Sequence, residues 1–130
     1  ELLELVRGLP PEQVVAKPAL GRPIAQIVGH VAGANAAYLQ TPVQRTPALA
    51  ALTKQLAEGA GDPLALMAEQ AELVAQRLLA MTAEERAAQV PHGQKLWTAR
   101  RALRRCLEHE WEHLMEVSRR LGAPPAADAA

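Results

Sequence analysis

The sequence predicts an all-α fold, and three observations carry that expectation. Its apolar content is mostly Ala, Leu and Val, with two Trp, one Tyr and no Phe. Ala and Leu are strong helix formers, and the β-branched alternation of half-buried strands is nearly absent. Apolar residues recur at three- and four-residue spacing over long stretches, and Thr46-Pro47 and Asp62-Pro63 each set a capping side chain ahead of a proline suited to a first helical position.

Taken in order, residues 1–7 read as the end of a helix stopped by Gly8 and Pro10. "PPEQVVAKP" holds one helical turn, and "LGRP" is a loop that leaves Pro23 to open a helix over 23–40. Residues 23–44 contain no Asp, Glu, Lys or Arg. Ile24, Ile27, Val28, Val31 and Tyr38 form one apolar face, and Ala25, Gly29, Gly33 and Ala36 a second face of small residues. A helix apolar all round is buried all round, so this one is expected at the centre or with its small face against a partner subunit. A short helix follows over 47–58, ended by Gly59. The next runs from Asp62 to about residue 81, with Met67, Ala71, Val74, Leu78 and Met81 on one stripe. Thr82 and Glu85 form a capping box, and "PHGQK" is a loop. The last helix starts after Thr98 and ends at Leu121-Gly122. Three long helices, one short first helix and a long link over 41–62 predict a four-helix bundle in which that link crosses over and leaves the second and third helices parallel.

At 130 residues the chain is one domain, with the bundle over 1–122 and a flexible low-complexity tail over 123–130. It opens at Glu1 already inside an apolar pattern, as a chain does when upstream residues have been removed or when it is a piece of a longer one. Fourteen Lys and Arg balance fourteen Asp and Glu. A neutral chain lacks the cationic surplus that nonspecific nucleic-acid binding needs. Arg100, Arg101, Arg104 and Arg105 read as a solvated face. Neither a leader pattern nor an 18-residue apolar run is present, so no membrane span is expected. The lone Cys106 excludes a disulfide framework and points to a cytoplasmic, reducing setting. Its side chain reads as a small buried apolar group, with an extra metal ligand or an oxidisable thiol as alternatives.

The chemistry gathers in "HEWEH", residues 109–113. On a wheel of about 100° per residue, His109, His113 and Glu116 fall along one edge of the last helix, while Glu110 falls in the middle of its apolar stripe. A carboxylate there must be answered by a metal, a ring N–H or an arginine. Glu110 therefore either pairs with a cation or serves as base beside a metal. The pattern matches H-E-x-x-H of zinc proteases. Those enzymes draw a third ligand from further downstream, however, and no residue after His113 supplies it at the required position. His30 is the better third ligand. With the two helices antiparallel, it lies roughly 10 Å in from its helix start and the other pair roughly 12–18 Å in from theirs. His92 reads as a surface loop residue.

"IAQIVGHVAGANAAYL" together with "WTARRALRRCLEHEWEHLMEV" resembles the DinB-like (DinB/YfiT) superfamily, over about 2–121. The resemblance implies a four-helix bundle of up-down-down-up topology, often a homodimer, holding a divalent metal, zinc or nickel, on His30, His109 and His113. It leaves one position open for water or a small-molecule substrate. It also implies a thiol-dependent transferase or hydrolase using a low-molecular-weight thiol such as mycothiol or bacillithiol, with Glu110 or Glu116 orienting a ligand ring or handling the proton. The chain departs from the family at Arg22-Pro23, where Trp-Ser is frequent, and at Glu116, where Gln is usual. The alternative is a non-catalytic bundle in which the metal staples two helices or the pocket senses a small molecule.

Overall fold

The computed structural model describes residues 1–40 and 46–122. They form α1 (Leu2–Arg7), α2 (Pro11–Val15), α3 (Ile24–Gln40), α4 (Pro47–Glu58), α5 (Pro63–Leu79), α6 (Ala83–Ala87), the strands β1 (Val90–His92) and β2 (Lys95–Trp97), and α7 (Ala99–Arg120). The first residues of the link over 41–62 and the tail over 123–130 lie outside the described residues. The all-helical expectation holds apart from one small hairpin.

Local chemistry sets the helix ends. Thr46, Asp62, Thr82 and Thr98 each accept a backbone N–H from the first turn of the helix they precede. Thr82 and Glu85 make the complete capping box. Gly59 ends α4 in the left-handed conformation, at φ 65°.

The uncharged helix is central. α3 packs against α1, α2, α4, α5 and α7. Ile27, Val28, Val31 and Ala32 are wholly buried, and they join Leu2, Val6, Met67, Leu114 and Val117 in the main core. Cross-contacts give the direction of α7. The carbonyl of Arg22 accepts from Arg120, His30 meets His109, the Cys106 thiol faces the Asn35 carbonyl at 3.9 Å, and the Trp97 indole N–H donates to the Tyr38 carbonyl at 2.8 Å. One series rises while the other falls, so α3 and α7 run antiparallel. On its other side α3 meets α5, where buried Gln70 donates to the Ala32 carbonyl at 2.6 Å.

Three expectations need correction. The "PHGQK" loop is a hairpin, pairing Val90 with Trp97 and His92 with Lys95 and turning at Gly93 with φ 62°. Strands of three residues, one of them Pro91, are too short for alternation to show. The hairpin is held by Trp97 docking on the end of α3. The uncharged helix is also not buried all round, because Gln26, His30 and Ala37 on it are exposed. The α5 stripe is partly core. Met67 and Met81 are buried, while Ala71, Val74 and Leu78 line a groove of about 350 Å³ with Leu103, Cys106 and Leu107 of α7. No helix among the described residues is long and apolar enough to cross a membrane.

The packing predicts a sharp contrast in urea unfolding. Ile27→Ala removes a fully buried side chain from the central helix and should cost about 2–5 kcal/mol. Leu79→Ala, at a position 88% exposed, should stay within about 0.5 kcal/mol of the parent.

Candidate metal centre

Three imidazoles meet where α3 crosses α7. His109 and His113 are four residues apart on α7 and so share one face, one turn apart. His30 reaches them from α3 because the antiparallel register puts it level with that turn. One ring nitrogen from each histidine lies within 4.8 Å of the other two. His109 Nε2 stands 3.1 Å from His30 Nε2 and 3.2 Å from His113 Nε2. The ring planes cross at 67°, 83° and 85°, so edges rather than faces converge. His109 is buried, His113 half-buried and His30 exposed, so the cluster opens to solvent at His30.

These positions fit a divalent metal. Two nitrogens on one tetrahedral zinc, each roughly 2.0–2.1 Å from it, stand about 3.4 Å apart, close to both short separations here. The hydrogen-bonding pattern fits as well. His113 Nδ1 lies 2.7 Å from Glu116 Oε2. An ionised carboxylate only accepts, so Nδ1 donates and His113 Nε2 presents a lone pair to the cluster. A single N–H on His109 Nε2 serves one neighbour and leaves the other facing lone pair to lone pair. Placed on Nδ1 instead, the proton sits on a buried atom that has no hydrogen-bond partner. An ion among the three Nε2 atoms would give each of those lone pairs an acceptor, with the His109 proton then on the buried Nδ1.

The electrostatics favour the same state. Burial, then the Arg22 and His113 charges, holds His30 below the usual histidine pKa. His30 is exposed as a residue, but its Nε2 edge is the part pressed into the cluster. Burial, then His113 and His30, lowers His109. Both of these rings are thus pushed towards the neutral form, the one that binds a metal.

The remaining candidates separate. Glu116 is at the site: it joins His113 through one oxygen and Arg120 Nη2, at 2.9 Å, through the other. Glu110 is not brought to the rings. It is half-buried at the edge of the groove between α5 and α7, 3.7 Å from the Glu1 amine. The Cys106 thiol lies outside the cluster and is pushed up to about 11, first by burial and then by the Glu110 charge, which leaves it protonated and a poor ligand. His92 is exposed on β1. Reading the sequence for ligands missed Tyr38, whose ring stands edge-on to His109 with centroids 5.9 Å apart. It also missed Arg120, although that residue falls about 20° from His109 on the same wheel.

A cleft of about 410 Å³ adjoins the centre. His30, Ala25, Gln26 and Gly29 of α3 form one wall, and Gln55, Leu56 and the turn at Gly59 the other. Among the described residues, no Asp, Glu, Lys or Arg side chain lines it.

The lowered histidine values have a consequence for stability. The unfolded chain, with histidines near the ordinary value of 6.5, binds protons that the folded rings refuse. Folding of the metal-free protein is therefore fully favoured above about pH 6.5, and stability declines as pH falls below it. Urea midpoints measured from about pH 7.5 down to 5 should show that decline, and His109→Gln should make it shallower.

No curated protein and no solved structure matches this chain. A sequence profile of the DinB superfamily, in contrast, matches residues 1–117, a span that includes all three clustered histidines and Glu116. On that match over nearly its whole length, the chain belongs to the DinB superfamily.

Proposed function

We propose that this protein is a divalent-metal-dependent enzyme, with zinc or nickel held by His30, His109 and His113, acting on a small-molecule substrate in a thiol-dependent transfer or a hydrolysis. The observation that carries the proposal is the convergence of three imidazole edges, two pairs of them 3.1 and 3.2 Å apart, from helices distant in sequence. Bound there, the ion supplies Lewis acidity that makes a water or thiol nucleophilic at neutral pH. The chain's own residues do the rest. Glu116 fixes the tautomer and angle of His113. His30, at the exposed rim, leaves one side of the centre open, which favours an enzyme over a sealed structural site. The neutral, largely apolar cleft beside His30 receives the uncharged part of the substrate. Glu110, which touches none of the rings, is given no step.

The architecture proposed is the up-down-down-up bundle of α1, α3, α5 and α7, with α4 in the crossover. Antiparallel α3 and α7 support it, as does the Gln70–Ala32 contact that sets α5 alongside α3. So does α1, which starts beside Glu110 and packs Leu2 and Val6 with Leu114 and Val117. The single thiol suits a cytoplasmic setting.

Elemental analysis tests the metal assignment. The parent protein should carry about one zinc or nickel per chain, and His30→Ala should carry far less while keeping its helical content. A His30→Ala protein that retains a full equivalent would overturn the proposal. Turnover of a low-molecular-weight thiol with a neutral electrophile should be lost on chelation. A Cβ on Gly29 meets nothing within 4 Å, so Gly29→Leu should fill the cleft without disturbing the core. It should raise KM and leave the metal content unchanged.

A further inference from the structure

The histidine edge of α7 continues one residue further than the ligands. His109, His113, Glu116 and Arg120 all fall within about 60° on the helical wheel. Glu116 Oε2 accepts from His113 Nδ1 at 2.7 Å, and Oε1 accepts from Arg120 Nη2 at 2.9 Å. The other prong of the same guanidinium, Nη1, donates to the backbone carbonyl of Arg22, just ahead of α3. The guanidinium is a planar, rigid fork, so engaging both prongs fixes its plane. Gly21 makes room for it. That residue turns the chain at φ +86°, and a Cβ there would run into Arg120 Nη2.

An exposed pair four residues apart on a helix contributes little and orients nothing. This pair differs in three ways. Arg120 and Glu116 are half-buried, at 23% and 35% side-chain exposure. Both carboxylate oxygens are used. The arginine also bridges to a segment 98 residues away.

We infer that Arg120 is a positioning residue of the metal centre: it clamps Glu116 against His113, and through Arg22 it ties the start of the His30 helix to the same point. The assignment rests on the metal reading above. It lies outside the span matched by the family, which ends at residue 117. In the pair it makes with Glu116, Arg120 keeps the carboxylate from swinging into solvent and releasing the His113 ring.

Cobalt(II) affinity, measured by competition with a chelator and followed by the cobalt absorption bands, tests the clamp in the full chain. The set is parent, R120Q, R120K, E116A and the double variant R120Q/E116A, with metal-free thermal unfolding recorded for each. R120Q should weaken cobalt binding by about 10- to 100-fold and alter the bands. R120K, which keeps one charged donor for Glu116 but cannot fork, should recover part of the loss. In the E116A background the arginine change should keep only the smaller part of its effect, the part carried by the Arg22 tie, because its path to His113 is already cut. Gly21→Ala should act in the same direction by displacing the guanidinium. R120Q and R120K both binding within about 2-fold of the parent overturns the assignment, as does a full arginine effect that persists without Glu116. A parent that takes up no cobalt overturns the metal reading itself, and the clamp with it.

Discussion

The register between α3 and α7 governs the rest of this protein. His30 and the His109–His113 pair are carried by different helices, and only the sliding position of one helix against the other decides whether they meet. A slip of one turn moves a side chain by about 5.4 Å along the axis. That exceeds the 4.8 Å within which the three ring nitrogens gather. The register is held at both ends by polar contacts and in the middle by packing. Arg120 grips the Arg22 carbonyl at one end and Trp97 the Tyr38 carbonyl at the other. Ile27, Val31 and Val117 are wholly buried between them. An uncharged α3 makes this arrangement affordable, because a charge on any of its packed faces would have to be desolvated.

The centre sits at the boundary between that core and solvent, and its gradient of exposure is its main chemical property. His109 is buried, which holds it neutral and leaves its Nδ1 without a partner. His113 is half-buried and tied to Glu116. His30 is exposed and forms a wall of the uncharged cleft. A site buried throughout would admit no substrate, while one exposed throughout would let the rings protonate and scatter. The polar chain from His113 through Glu116 and Arg120 to the Arg22 loop runs along the same edge of α7, so one helix face supplies both ligands and their support.

The resemblance of "HEWEH" to a protease motif dissolves on geometry. In that motif the glutamate works beside the metal, whereas here Glu110 is placed at another part of the fold. It lines the groove between α5 and α7 and not the ring cluster. The sequence reading of Glu110 as a carboxylate aimed into the core rested on the apolar stripe around it. Part of that stripe borders an open groove, so Glu110 needs only partial desolvation.

Local order was legible from the amino acids alone, because its causes act within about four residues: capping side chains, prolines at helix starts, a glycine in the left-handed region. The bounds of α4 and α7, the capping box at Thr82, the burial of one apolar face of the uncharged helix and the shared face of His109, His113 and Glu116 all follow from such short-range rules. The hairpin escaped because three-residue strands carry no readable alternation and are held by Trp97 reaching a distant carbonyl. The sequence could propose His30 by matching depths along two helices, but it could not bring the ring to 3.1 Å from its neighbour. Nor could it show which way Glu110 would face, or that Arg120 would bridge to Arg22. Those outcomes depend on how two helices slide and rotate against one another, and that is decided by the whole buried surface at once, not by any stretch of chain.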